Sequence, residues 1–291
     1  MNSFFNQPKF ESNLAIPKAF KLAIKALSLI STQLTLKITS SLFAKPIVFA
    51  TPKRELGMLQ SSQVKKLQIQ GTSKNINVLS YGFSDKKVLL AHGWSGRSTQ
   101  LYMIANYLLE QGYMVISFDA PAHGSSSGKS TNLIEYIEAV KAIHYEYGPF
   151  DAAVGHSFGG MVLMNVQAEC SAFKCLVTVG AADKVSKIFY NFANNIGLDN
   201  SFGKKFIARF EKKLNIQLDD KATSIVAKKI TIPALIVHDV LDGDVSVSCA
   251  TSIRQSLQKG ALLITQGLGH TKILRNKEIA LRIVNFIKQH T

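Results

Sequence analysis

The pattern of apolar positions along this chain changes once, near residue 60. Before that point it is helical. At 100° per residue Phe20, Ala23, Leu27, Ile30, Leu34 and Ile38 share one stripe, and Lys18, Lys21, Lys25, Ser28, Thr32 and Thr35 share another. Leu22, Leu29 and Leu36 add a second apolar edge, so a helix over residues 18–38 carries more apolar surface than one contact stripe requires. Two placements follow, and the pattern leaves both open. The helix either packs across the rest of the chain and completes its core, or lies as a basic amphipathic helix on a membrane or partner chain. Pro46 and Pro52 then predict an extended connector.

From Gln63 onward short apolar runs alternate with helical spacing. Residues 64–70 and 76–81 predict two strands of a hairpin around Gly71-Thr72-Ser73. Runs at 88–91, 114–118, 150–154, 175–179, 234–238 and 261–265 predict further strands. Helical spacing falls at 98–111, 133–147, from Met161 onward, 247–257 and 278–289. This alternation predicts an α/β fold, a mostly parallel central sheet flanked by helices on both faces. No strand is predicted between Asp183 and Lys229, where Ile188, Phe189, Tyr190 and Phe192 cluster and Phe202, Phe206, Phe210 and Leu214 recur every four residues. An insertion between two sheet strands must lie at the sheet's edge or over the strands' carboxyl ends, and this one reads as a small helical cap. The expected organisation is an N-terminal amphipathic helical extension over residues 1–60, a core of 61–182 and 230–291, and a cap at 183–229.

Composition excludes several classes. With 291 residues, 46% apolar and 18% charged, the chain can bury a sizeable core. Thirty-four Lys and Arg against nineteen Asp and Glu give a formal charge of +15, which bears on surface potential and not on fold. The basic residues are scattered as pairs, such as Lys65-Lys66 and Lys204-Lys205, without a cluster or a nucleic-acid motif, so no nucleic-acid partner is expected. Cys170, Cys175 and Cys249 are odd in number and lack C-x-x-C spacing. They argue against a disulfide framework and a Cys-based zinc site, and fit a reducing, cytoplasmic compartment. No stretch reaches the roughly 18–20 apolar residues that span a bilayer. Residues 26–38 are interrupted by polar side chains and have no convincing cleavage site nearby, which makes a secretory leader the less favoured reading. Where the second placement of that helix holds, membrane association is peripheral and runs through residues 18–38.

The most informative stretch for chemistry is Gly155-His156-Ser157-Phe158-Gly159, which follows one strand-like run and opens a helical one. A Ser forced into that sharp turn projects its hydroxyl from the backbone, and only Gly on both sides leaves room for the turn. Taken alone, the motif is also compatible with a Gly-rich turn and a chance Ser. Three more motifs follow strand-like runs. In His92-Gly93-Trp94, the backbone N–H of Trp94 could join that of Phe158 in holding an oxyanion; a Gly loop with a buried Trp is the plainer alternative. Between His238 and Val245, Asp239, Asp242 and Asp244 compete as the carboxylate that orients a histidine base. Asp242 is favoured by its place at the strand-to-helix junction, Asp239 remains the alternative, and Asp244 reads as a helix N-terminal charge. In Gly267-Leu268-Gly269-His270, the histidine lies in a loop beyond the last strand, from which it can reach over the sheet's carboxyl edge. None of the other six histidines follows the acid in such a loop.

In this order the motifs resemble the α/β-hydrolase superfamily, whose nucleophile–acid–base sequence is matched by Ser157, Asp242 and His270. The stretch from Asp119 to Ser126 looks like the loop that the family carries before the nucleophile strand, shaping the floor of the site. The resemblance spans about residues 63–290 and is specific for fold, much less so for substrate. It implies a serine hydrolase of the esterase or lysophospholipase-like branch, cleaving a carboxylic ester or thioester through an acyl-enzyme. Ser157 would be nucleophile, His270 base and Asp242 its orienting acid, with Trp94 and Phe158 as oxyanion donors. His92, Gly93, Phe189 and Phe192 would contact a small-molecule substrate, the cap aromatics suiting an apolar acyl group. Neither cofactor nor metal is implied. Departures from the family pattern matter. His92-Gly93-Trp94 stands where many lipases have a longer Gly run. Asp239 stands where Gly is more usual, which keeps the identity of the acid open. Ser rather than Asp at 157 argues against the dehalogenase and epoxide-hydrolase branches. A reading from another class is a non-catalytic or membrane-associated binding protein on the same scaffold. Its mark would be a missing triad member, and all three are present.

Overall fold

A computed structural model describes residues 16–291; residues 1–15 of the expected N-terminal extension lie outside the described residues. Eight strands form one sheet: β1 Ser62–Gln68, β2 Asn75–Tyr81, β3 Lys87–Ala91, β4 Met114–Phe118, β5 Phe150–His156, β6 Phe173–Val179, β7 Ala234–Asp239 and β8 Gly260–Thr265. Before the sheet come helices α1 Lys18–Ile30, α2 Thr32–Phe43 and the short α3 Leu56–Gln60. Helices α4 Tyr102–Glu110, α5 Leu133–Tyr147 and α6 Phe158–Cys170 connect its middle strands. Between β6 and β7 lie α7 Val185–Asn195, α8 Asn200–Leu214 and α9 Thr223–Ala227. Helix α10 Val247–Ser256 links β7 to β8, and α11 Gly269–Lys272 and α12 Lys277–His290 follow the last strand.

The strand order is β1-β2-β4-β3-β5-β6-β7-β8. Strand β2 pairs antiparallel with β1 and β4, and every other pairing is parallel. Strand β4 lies on one side of β3 and β5 on the other, so successive connections leave toward opposite faces. The switch point of the sheet therefore lies at the carboxyl ends of β3 and β5, the place where open α/β sheets hold their ligands.

Both faces of the inner strands are covered, which explains their uninterrupted apolar runs, while the edge strands β1 and β8 are largely exposed. Side chains alternate along each strand. Val88, Leu90, Val154, Val177 and Val237 pack on one face with Ile104 and Leu108 of α4 and Ile283 and Ile287 of α12. Leu89, Ile116, Ala153, Leu176 and Ile236 pack on the other with Tyr136 and Val140 of α5 and Met161 to Met164 of α6. Helix starts are fixed by side-chain acceptors. Asn132 accepts from the N–H groups of Ile134 and Glu135, Asp199 from Phe202, and Asn276 from Ile279.

The N-terminal segment corrects one expectation. The single helix over 18–38 is broken at Ser31, whose backbone is extended at φ −151° and ψ 104°. Its own N–H closes α1 on the carbonyl of Leu27, and its hydroxyl accepts from Leu34 N–H to open α2. A serine that satisfies both helix ends makes the break cheap. The buried side of the pair is then Ile24, Thr35, Leu36 and Thr39, while the stripe of Phe20, Ile30, Leu34 and Ile38 faces outward.

The segment is nevertheless bonded to the core. Thr131 N–H donates to the carbonyl of Ala44 at 2.8 Å, and Ile47 N–H to Ser95 Oγ at 2.9 Å. Glu55, only 2% exposed, accepts from Arg97 Nε at 2.8 Å and Thr99 Oγ1 at 2.8 Å. Removing one partner of a buried pair leaves the other charge uncompensated. Glu55→Gln is therefore expected to destabilise the fold by about 3 kcal/mol, read as a lower urea midpoint at unchanged slope.

Candidate active site

Ser157 occupies the turn between β5 and α6 with φ 52° and ψ −118°, a backbone conformation that side chains rarely adopt. Its N–H donates to Val179 O at 2.8 Å, which ties the turn to the end of β6. Glycines make the turn feasible. A Cβ on Gly155 would sit 2.6 Å from the backbone of Gly160, and one on Gly159 would strike the carbonyls of Ala91 and His92. A side chain at Gly155 would force α6 away from β5, and one at Gly159 would force it away from β3. Ser157 is half-buried at the start of α6, and the first N–H groups of a helix, Phe158 among them, have no intrahelical acceptor.

The loop after β3 runs beside this turn. A Cβ on Gly93 would lie 3.1 Å from Ser157 Cβ and 3.0 Å from His156 Nδ1. Within the loop, Gly93 N–H donates to Gln100 Oε1, Ser95 N–H to His123 Nε2 and Gly96 N–H to Gly93 O. Trp94, between them, packs its ring edge-on to that of Phe158 at 5.4 Å. His92 is 1% exposed and both its ring nitrogens are engaged inside the protein. Its Nε2 accepts from Ala120 N–H, so the proton is on Nδ1 and donates to Gly93 O at 2.7 Å. His92 thus fastens two loops together and offers no polar atom to a substrate. His123 repeats the arrangement, donating from Nδ1 to Pro121 O. Asp119 accepts from Ser98 and Ser125 N–H, and Tyr136 donates its hydroxyl to His92 O.

Asp242 and His270 meet at the far side of the turn. His270 Nδ1 donates to Asp242 Oδ2 at 2.7 Å, and Asp242 Oδ1 accepts from the N–H groups of Asp244 and Val245. Asp239, the competing carboxylate, is used elsewhere. It accepts from Leu241 and Leu268 N–H and from Thr265 Oγ1, and so shapes the loop that delivers His270. Asp244 is exposed. The His270 ring lies against Gly180, the residue after Val179, where a Cβ would be 3.2 Å from Nδ1. His156, immediately before Ser157, donates from Nε2 to His270 O at 2.9 Å, with the two rings 4.7 Å apart. Asp242 and His270 are bonded to each other, and the His270 ring lies against Gly180, next to the Val179 carbonyl that receives the Ser157 N–H.

The electrostatics divide the histidines. Burial lowers the His270 pKa, but the bond to Asp242 and its charge outweigh burial and hold it above the ordinary value. Burial likewise pushes the Asp242 carboxyl up, and His270, the Val245 N–H and His238 bring it below the usual range. Burial takes His156 down to about 3 and His123 to about 4, with His92 and His238 also lowered. Asp242, Asp244 and His270 are close enough together to hold a cation, but they include the His270–Asp242 bond, with which a metal would compete.

Above the site, Phe189 is buried and Phe192 half-buried among α7 and α8. Their cluster has an unforeseen centre. Phe43, the last residue of α2, stands 4.4 Å from Phe189, 5.0 Å from Phe192, 5.3 Å from Phe206 and 6.5 Å from Trp94, ring to ring. The sequence carried no signal for Phe43, whose contacts are all distant along the chain. Glu55 and Tyr136 were equally silent.

The fold is that of the α/β hydrolases, and the comparisons agree. The model of the alpha/beta hydrolase family matches residues 88–224. The structure resembles an esterase from Pyrococcus furiosus, with TM-score 0.65, 19% identity, and coverage of 85% of this chain and 98% of that one. It resembles a membrane phospholipase A, described as a bacterial virulence factor, with TM-score 0.62, 19% identity, and coverage of 92% and 95%. An esterase from Exiguobacterium antarcticum gives TM-score 0.60, 17% identity, and coverage of 78% and 100%. At these identities the likeness is one of fold. The sequence matches no curated protein. The chain has the α/β-hydrolase fold, and its residues 88–224 are similar to the alpha/beta hydrolase family.

Four buried neutral histidines set an acid limit on stability. His92, His123, His156 and His238 have folded pKa values below the 6.5 of an unfolded histidine, so unfolding takes up protons below that pH. Their contribution is complete above about pH 6.5 and is lost as the pH falls toward their folded values, by up to about 1.4 kcal/mol per pH unit for each. His270 has the opposite sign: its contribution is present below 6.5 and lost as the pH rises through its raised folded value. The net expectation is a urea midpoint that drops steeply between about pH 6.5 and pH 5; a flat profile over that range would contradict the burial of these rings.

Proposed function

We propose that this chain is a serine hydrolase that cleaves a carboxylic ester or thioester through an acyl-enzyme. The observation that carries the reading is the 2.7 Å His270–Asp242 bond, set beside a serine whose backbone is held at φ 52°. In this reading Ser157 attacks the acyl carbon and His270 takes its proton through Nε2, the nitrogen opposite the one bonded to Asp242. Asp242 fixes that tautomer and stabilises the imidazolium. The N–H groups of Phe158 and Trp94 stabilise the oxyanion. Trp94 is favoured because Gly93, Ser95 and Gly96 use their own N–H groups inside the loop. His270 then protonates the leaving group and activates a water that releases the acid. Neither metal nor organic cofactor enters these steps.

The substrate we infer carries an apolar acyl group, received by the aromatic side chains of a cap at residues 183–229. The three free cysteines support a cytoplasmic setting, with peripheral membrane contact through residues 18–38. Among the described residues no helix is long and apolar enough to cross a membrane.

Ser157→Ala is expected to keep its melting behaviour and to lose hydrolysis of a short p-nitrophenyl ester by a factor on the order of 10⁶. A fluorophosphonate probe should label the wild type and spare the variant. Equal labelling would remove Ser157 as nucleophile, and no labelling of either would favour a binding protein on a hydrolase scaffold. Phe43→Ala should open the space beneath the aromatic cluster. The dodecanoyl-to-butyryl ratio of kcat/KM is then expected to rise about tenfold, as measured on a p-nitrophenyl ester series.

A further inference from the structure

Among the described residues, large apolar side chains left exposed are concentrated in one place. Phe20, Leu22, Leu29, Ile30, Leu34, Ile38, Leu42, Ile47, Val48 and Phe49 are ten of seventeen such residues, yet they span only residues 20–49. Single exposed leucines need no explanation, but a concentration of this size does. Leu34, Ile38 and Leu42 recur every four residues along α2, and Leu22 and Leu29 stand seven apart on α1, so each helix presents a defined outer stripe. Leu29 and Ile30, both 83% exposed, form the tip where α1 meets α2. These helices have already buried an inner side, Ile24, Leu36 and Phe43, in the core cluster. The outer stripe is surplus to the fold.

Charge says what could cover it. Between Ser12 and Arg54 the chain has no Asp or Glu, and it carries Lys18, Lys21, Lys25, Lys37, Lys45, Lys53 and Arg54. Lys18, Lys25, Lys37, Lys45 and Lys53 are exposed, and no ion pair engages them among the described residues. An apolar stripe edged only by cations suits a lipid surface that is anionic at its headgroups and apolar beneath them. A second copy of this chain suits it poorly, because a symmetric contact would set the same cationic rim against itself.

We propose that the outer face of α1 and α2, continued by Ile47–Phe49, docks on an anionic lipid bilayer. This enlarges the peripheral contact in the proposed function and names its lipid, but stands independently of the chemistry at Ser157. The surface adjoins that site. Phe43 closes α2 against the cap aromatics and Trp94, and Ile47 is bonded to Ser95, the next residue. A docked molecule would therefore hold the cover of its site at the bilayer.

Cosedimentation of the full chain with vesicles tests this. The wild type should bind phosphatidylcholine–phosphatidylglycerol vesicles at least about tenfold more tightly than phosphatidylcholine alone, since each basic residue near an anionic surface contributes roughly fivefold. Added salt should weaken the binding. Leu29→Asp with Ile30→Asp should lower binding at least about tenfold at unchanged melting temperature, because both side chains already face water. Lys25→Glu with Lys37→Glu should remove the preference for phosphatidylglycerol. Ser157→Ala should bind as the wild type does, which separates failure of docking from failure of the hydrolase reading. Wild type that ignores both vesicles, or an aspartate variant that binds as well as wild type, would overturn the proposal. So would a wild-type dimer in light scattering that the aspartate variant abolishes without any vesicle binding, which would assign the face to a second copy.

Discussion

The site depends on how closely two backbones approach at the start of α6. Gly155 lets the helix begin against its own strand β5, and Gly159 lets it lie against the carbonyls of Ala91 and His92 of the neighbouring chain stretch, with no side chain between. That contact accounts for the left-handed backbone of Ser157 and also brings the loop after β3 beside it. A side chain at Gly159 would separate the two. Strain at one residue persists only where the surroundings over-determine it. Here the constraint comes from both sides, through Ser157 N–H to β6 and Gly159 against β3.

The surroundings are rigid for a reason visible in the hydrogen bonds. His92 and His123 each accept a backbone N–H with Nε2 and donate from Nδ1 to a carbonyl. Each is thereby fixed in one neutral tautomer, and burial removes the incentive to charge. A cationic form would lose one accepted bond and gain nothing in return. These rings act as crosslinks between the loop after β3 and the loop after β4. His156 does the same for the loop bearing His270, its Nε2–H holding the His270 carbonyl. His270 Nδ1 holds Asp242 Oδ2 at 2.7 Å and its affinity for a proton is raised, whereas His238 Nε2, 3.4 Å from the same oxygen and bonded to Val245 O, is held low by burial.

Much of this was legible in the sequence. The strands at 88–91, 114–118 and 234–238 could be read because both sheet faces are covered, so their residues are apolar without a break. The Ser157 turn could be read because its geometry demands glycine at fixed offsets. Other features left no trace. The break at Ser31 escaped because a serine in a helical run is ordinary until its hydroxyl is seen accepting from Leu34. Position favoured Asp242 over Asp239 but left Asp239 as an alternative. The structure distinguishes them by partners, Thr265 and Leu268 for one and His270 for the other. His92 was expected among substrate contacts, and its role as a crosslink follows from a bond to Ala120, twenty-eight residues away. Phe43 illustrates the general limit. Periodicity reports which face of a helix is apolar, but not which remote elements will meet it.

The N-terminal pair of helices shows how that limit bears on function. Its apolar surface was too wide for one contact, and the two readings of it, core helix or surface-seeking helix, looked mutually exclusive. Breaking at Ser31 removes the conflict. With the chain turned there, Ile24, Leu36 and Phe43 can point inward while Leu29, Ile30 and Leu34 point away. The inward set ends at Phe43, among the aromatic rings above Trp94, and the connector beyond it is bonded to Ser95 and, through Glu55, to Arg97 and Thr99. All of these lie in the loop beside Ser157. The extension is therefore bonded and packed directly against that loop. A change in what its outer face touches would reach the loop after β3 through covalently adjacent residues and short hydrogen bonds, without any intervening domain to absorb it.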